Sequence, residues 1–169
     1  MNRRLPTKTI ALLLAAALLT GCGAFSNDNR VDPELSLEQA KQTAMAMELE
    51  LAEMIPDENV ASVDQSQTGV LLSCDDKRGY QWTGGMNIVV QGDLDPAALV
   101  DAIIDRYSTQ ELYTAKSSPT PDGGPGAHVI GQHGAGYLVN QSPDRTAIEI
   151  LSFSPCFVLP EGTSPRGNF

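Results

Sequence analysis

The chain has 169 residues, with 11 basic against 21 acidic side chains, a formal net charge of −10 and 5% aromatic content. Such acidity excludes nucleic acid as a partner, because neutralisation of phosphates by Lys and Arg supplies most of that affinity. It also disfavours a domain lying flat on anionic lipid, while the length suffices for one domain with a real core.

First in chain order are Arg3, Arg4 and Lys8, followed by an apolar run from Ile10 to Leu19 and then Thr20-Gly21-Cys22. A basic start, a short apolar stretch and small residues at a cut site make a secretory signal. The run is too short for a transmembrane helix, which needs roughly 18 residues or more. Leu19-Thr20-Gly21-Cys22 resembles the lipobox of bacterial lipoproteins, in which the cysteine thiol receives a diacylglycerol and the signal before it is removed. The resemblance implies a signal peptide over 1–21, lipidation at Cys22, and a protein lipid-anchored to the cell membrane on its extracytoplasmic side. An ordinary secretory signal with Cys22 merely nearby is the alternative. Each buried methylene contributes about 0.8 kcal/mol, and one chain anchors only marginally, so a two-chain anchor should release slowly. Loss of Arg3, Arg4 and Lys8 with the signal leaves 8 basic against 21 acidic residues, a net charge of −13.

With Cys22 assigned to the lipid, Cys74 and Cys156 remain as an even pair in an exported chain, and a disulfide is the natural reading. It would close a loop of about 83 residues and contribute on the order of 4–5 kcal/mol on the chain-entropy model. Two free buried thiols are the alternative.

Residues 22–34 are poor in apolar side chains and read as a lipidated cysteine followed by a flexible tether. A single domain is expected over 35–160. Ser36 and Gln39 form a capping box, and Leu37, Ala40, Ala44, Met47, Leu51 and Met54 recur at spacings of three and four. That predicts a helix of about 19 residues ended by Pro56, with Glu38, Lys41, Glu48 and Glu53 on its outer face. Short strands are expected at 60–63 and 68–74, then a longer one at 80–91 with Trp82, Met86, Ile88 and Val90 on one face. Gly84-Gly85 is expected to make a bulge or bend. Asp95 and Pro96 start a second helix, its buried side marked by Leu99, Val100, Ile103, Ile104 and Tyr107. A strand at 111–115 and a loop over 117–126 precede strands at 127–131, 135–140 and 146–153, with Ile148, Ile150 and Ser152 opposing Ala147, Glu149, Leu151 and Phe153. Residues 161–169 read as a disordered tail.

Runs of strands with only two helices predict an α+β fold. The expected form is a two-layer sandwich, two helices packed on one face of a mostly antiparallel sheet, stapled by one disulfide.

Candidate chemistry is sparse. His128 and His133 could in principle share a metal with Asp122 or Asp144, but zinc sites take three or four ligands with short spacing pairs. Asp93 and Asp95, and Asp75 and Asp76, lack the longer pattern that calcium requires, and turn or capping geometry explains them. Neither G-x-S-x-G nor H-E-x-x-H occurs. The expectation is no metal, no cofactor and no catalysis. A non-catalytic binding or interaction domain follows, with the exposed sheet face or the 117–126 loop as its contact surface. The alternative is a carrier or sensor for a lipid or other apolar ligand, lined by Met45, Met47, Met54, Trp82 and Met86.

The order of the lipobox at Cys22, a long helix ending near Ile55-Pro56, the strand end Leu71-Leu72-Ser73-Cys74, a second helix over 95–107 and a closing Ser154-Pro155-Cys156-Phe157-Val158-Leu159 resembles the small actinobacterial surface lipoproteins of the mycobacterial LppA type. The resemblance implies the fold and the cell-surface address, and it carries no catalytic residues.

Overall fold

The computed structural model describes residues 31–75 and 77–169. The lipobox, Cys22 and most of the tether lie outside these residues.

The first helix, α1, spans Leu37–Ala52. Ser36 accepts from the amide of Gln39, and the Gln39 side chain accepts from the amide of Ser36, the reciprocal arrangement that satisfies two otherwise orphaned donors. The helix stops a turn earlier than its apolar stripe. Met54 and Ile55 continue in a tight turn, bonded to Leu51 and Ala52, and Ile55 still reaches the core ahead of Pro56. The second helix, α2, spans Pro96–Ser108; the Asp95 carboxylate caps the amides of Ala97 and Ala98, and Pro96 fills the first turn, where no donor is needed.

Among the described residues eight strands form one sheet: β1 (Val60–Gln65), β2 (Val70–Ser73), β3 (Gly79–Val90), β4 (Thr114–Ser117), β5 (Gly126–Ile130), β6 (Gly136–Gln141), β7 (Ala147–Phe153) and β8 (Phe157–Val158). The main path runs β1-β3-β7-β6-β5-β4, with every strand pair antiparallel. Long β3 organises it. Thr83 pairs with both Val70 and Phe153, and Met86 with both Gln65 and Ile150. So β1 and β2 follow one another along one side of β3, and β7 and β8 along the other.

Both helices pack on the same face: α1 against β3, β7 and β8, α2 against β4, β5 and β6. The two-layer α+β sandwich expected from the element order is the observed fold. Two apolar clusters fill the layer between. The larger joins Met47, Leu51 and Ile55 of the first helical region to Ile103 and Tyr107 of α2 over Met86, Ile88, Val129, Val139 and Ile150. The smaller gathers Ala40, Ala44, Leu71, Trp82, Phe157 and Leu159. Each fully buried Leu, Ile or Phe contributes about 1.5–3 kcal/mol by leaving water.

The Cys74–Cys156 disulfide forms as expected, with Cα atoms 6.2 Å apart across a sequence separation of 82. It ties the end of β2 to the turn before β8.

Several local expectations differ from the structure, and the strand expected at 111–115 forms at Thr114–Ser117. Glu48 belongs to the buried face of α1 with no exposed surface, because it sits four residues after Ala44 and three before Leu51, on the stripe itself. Gly84-Gly85 makes no bulge: pairing with β7 runs unbroken from Thr83 to Val89. The glycines are there for space. The Trp82 indole lies along the strand over Gly84, where a Cβ would collide with the ring, and a Cβ at Gly85 would come within 2.6 Å of the Ile150 carbonyl. The irregularity falls instead in β1, between Val60 and Ser62. Residues 161–169, read as a disordered tail, end on the sheet: Phe169 exchanges two backbone hydrogen bonds with Gly69, at 2.9 and 3.0 Å, and its carbonyl accepts from the Trp82 indole. At the other end the tether becomes structure before residue 35, since Asp32 bridges to Phe157 and donates its amide to Cys156.

Candidate functional site

Side chains alternate across a strand, so the same registers that bury one face define the other. On β3 the even-numbered Trp82, Met86 and Ile88 point to the helices, and Gln81, Thr83, Gly85, Asn87 and Val89 point away. Pairing carries that alternation over the sheet. On β7, Ile148, Ile150 and Ser152 are buried under the helices, with Glu149, Leu151 and Phe153 on the far side. One row of outward residues reads Lys116, His128, Leu138, Leu151 and Gly85 from β4 to β3. The next row reads Gly126, Asn140, Glu149, Asn87 and Asp64, ending on β1.

Neither helix packs on this outer face, although Val31 and Asp75 crowd its β8 end at Gly79. Eight large apolar side chains are exposed among the described residues, and five of them stand on it: Val70 and Leu72 of β2, Val89 of β3, Leu151 of β7 and Val158 of β8, each 37–46% exposed. Leu138, Ile130 and Phe153 lie half-buried among them. Among the described residues of the strands, the charged side chains that point outward are Asp64, Glu149 and Lys116, with His128 beside Lys116. In a chain this acidic the face is nearly neutral. Burial, and then the Lys116 ammonium, hold the His128 imidazole below its ordinary pKa, which favours its neutral form on this face.

The histidines and acids considered for a metal are dispersed. His128 lies on the outer face, its Nε2 close over Gly136. His133 occupies the tight turn between β5 and β6 with a left-handed φ of 51° and approaches Asp32 at 4.0 Å. Asp122 lines a polar groove with Asp95 and Arg145. Asp144 holds its own turn by accepting from Ser142, Thr146 Oγ1 and the Thr146 amide, which lowers its carboxyl pKa. Among the described residues no group of three or more His, Cys, Asp or Glu is placed to hold a metal ion.

The residues proposed to line an apolar ligand cavity go elsewhere. Met47, Trp82 and Met86 are buried within the two packed clusters, and Met54 lines an open groove of about 300 Å³ between the end of α1 and the start of α2. A smaller groove of about 150 Å³ runs from Leu35 and Thr43 to Tyr113, Tyr137 and His133.

Comparison of the chain with known protein families, curated proteins and solved structures finds no match.

Glu48, expected on the outer face of the first helix, is instead a buried polar group. The buried Glu48 carboxylate accepts from Ser152 Oγ and, at 2.8 Å, from Gln65 Nε2, which also donates to the carbonyl of Met45. Burial raises its pKa, and these two hydrogen bonds partly offset the rise. It sits where the two clusters meet, joining α1 to β7 and β1. With no exposed surface and its oxygens bonded to Ser152 and Gln65, its chemistry is that of a structural clasp.

Proposed function

We propose that this protein is a bacterial lipoprotein, held at the cell membrane by a diacylglyceryl group on Cys22, whose domain acts as a non-catalytic binding or interaction module on the extracytoplasmic side. The anchor reading rests on Leu19-Thr20-Gly21-Cys22 and the basic-apolar run before it. The observation that carries the interaction reading is the outer sheet face, where Leu151 adjoins Leu138 and Phe153, with Val70, Leu72 and Val158 on the same side and Val89 beyond the polar row of Asp64, Asn87 and Glu149. Monomeric proteins rarely leave a large contiguous apolar patch in water, and such patches mark contact surfaces.

The disulfide and the membrane address agree, since structural disulfides persist in oxidising compartments. No helix among the described residues is long and apolar enough to cross a membrane, and the lipid on Cys22 is the attachment this reading requires.

Two measurements test the reading. Metabolic labelling with an alkyne fatty acid should mark the wild-type chain, and Cys22→Ala should abolish the label and leave the signal uncleaved; labelled Cys22→Ala protein refutes the anchor. A photo-crosslinking amino acid placed at Leu151 in cells should give adducts of increased mass, and one at Leu49, exposed on α1, should not. Absence of any Leu151 adduct refutes the sheet face as a contact surface.

A further inference from the structure

Three tyrosines stand where the layer between helices and sheet opens, and their hydroxyls are not equally provided for. Tyr107, on α2, donates to Glu50 at 3.0 Å, and its ring meets that of Tyr113 edge to face, with centroids 5.4 Å apart. Tyr137, on β6, pairs with Val129 and Ser152, so its side chain enters the same layer, and it is 1% exposed. Its hydroxyl finds no hydrogen-bond partner among the described residues, yet it is not sealed off. Among those residues the one sealed side-chain polar atom without a partner is Thr83 Oγ1. The Tyr137 hydroxyl opens instead on the groove of about 150 Å³ that it lines with Thr43 of α1 and Tyr113. Burial raises the pKa of this phenol, and the neighbouring Tyr113, Glu48 and Tyr107 add to the rise, so it stays protonated and able to donate. A buried donor left without an acceptor costs free energy that a bound acceptor would recover.

The rest of the lining sorts by chemistry. Leu35, Leu112 and Pro155 make apolar walls, Asp32 is the one carboxylate, and no Lys or Arg lines the groove. Asp32 is held in place by its backbone, since its amide donates to Cys156 and its residue bridges to Phe157. Its Oδ1 accepts from the Glu34 amide at 2.9 Å, while Oδ2 lies 4.0 Å from His133 Nε2, beyond hydrogen-bond distance. One oxygen of a positioned carboxylate is therefore left to accept.

We propose that this groove binds a small monocyclic amine that carries an oxygen acceptor. The ring lies between Leu35, Leu112 and Pro155, Asp32 holds the ammonium, and the Tyr137 hydroxyl donates to the oxygen. A space of about 150 Å³ suits a single six-membered ring, the scale at which an apolar cavity takes up benzene. Apolar walls with a few placed polar groups are the usual make-up of a small-molecule site. The acidity of the whole chain draws cations toward it and turns anions away. This site lies in the helix-facing layer, apart from the outer sheet face, so it goes beyond the interaction reading and neither depends on the other.

The test is equilibrium dialysis of the purified full chain in neutral detergent against radiolabelled tyramine, corrected for detergent alone. Saturable retention at one site per chain is expected on the wild type, and para-hydroxyphenylacetate, with the charge reversed, should not be retained. Tyr137→Phe keeps the ring and removes only the donor. It should weaken tyramine by about tenfold, the scale of one lost hydrogen bond, and leave phenethylamine, which lacks the oxygen, unchanged. Asp32→Asn should weaken both amines by a similar factor. The comparison of ligands on the wild type needs no variant, and unchanged phenethylamine binding shows that Tyr137→Phe is folded. Absence of saturable tyramine retention, equal retention of para-hydroxyphenylacetate, or tyramine binding that either variant leaves unchanged overturns the proposal.

Discussion

At the scale of single residues, Glu48 and Gly84 show how one side chain or its absence fixes the architecture. Glu48 clasps α1 to the sheet through Ser152 and Gln65. Glu48→Ala strands a buried hydroxyl and a buried amide donor, so a loss of about 2–4 kcal/mol is expected in urea unfolding. Glu48→Gln keeps the shape but turns one amide donor toward the Gln65 amide, for a cost of about 1 kcal/mol at acid pH. The pH dependence has a definite sign. A carboxyl whose pKa is raised on folding binds more protons folded than unfolded, so its contribution to stability falls as pH rises from its unfolded value through its folded one. The wild-type urea midpoint should therefore decline relative to Glu48→Gln as pH climbs above about 4.5 and level off once the folded-state group has ionised. Parallel profiles for the two proteins would refute the raised pKa. Gly84→Ala, which drives a methyl into the Trp82 ring, should cost about 2–3 kcal/mol by overpacking, measurable as a lowered Tm together with altered tryptophan fluorescence.

At the scale of elements, the helices and the long strands were legible in the sequence because their signals are local and redundant. Ser36 and Gln39 mark the start of α1, Asp95 and Pro96 that of α2, and the stripes behind them agree in period. The alternation on β3 and β7 needed only the pleat. Asp95→Ala should cost about 1 kcal/mol, the usual value of an N-cap, seen as a shifted thermal midpoint with little change in the core. Legibility ended where residue type and residue position disagreed. Glu48 lies on the buried stripe by spacing, yet its charge argued for solvent, and its partners Gln65 and Ser152 are 17 and 104 residues away. Gly84-Gly85 resembled a bend by composition, whereas the cause is the width of an indole two residues earlier. The chain end resembled a tail because its anchor is a pair of backbone bonds from Phe169 to Gly69, which no side-chain pattern announces.

At the scale of the whole molecule, the disulfide and the uncovered sheet face decide behaviour. The bridge spans 82 residues and joins the β2 end to the β8 turn, beside the Asp32 bridge through which the chain enters the domain. Reduction, or Cys74→Ser with Cys156→Ser, should lower stability by about 4–5 kcal/mol, read as the difference in urea unfolding with and without reductant. The make-up of the outer face was only half legible. Two layers could be inferred from element order, and hence one open face, but which residues gather on it depends on registers between strands far apart in sequence. Val70, Leu151 and Val158 become neighbours of one surface only through their pairing around β3 and β7.

On the proposed function this domain works on the extracytoplasmic side with its outer sheet face covered by a partner. Single cysteines at Leu151, on that face, and at Leu49, on the helical side, can be probed in intact cells with a membrane-impermeant maleimide, each scaled to the denatured chain. Leu49→Cys should label fully and Leu151→Cys should be strongly protected. Full labelling at both positions would show a bare face, and no labelling at either would show a protein that never left the cytoplasm; both results contradict the account.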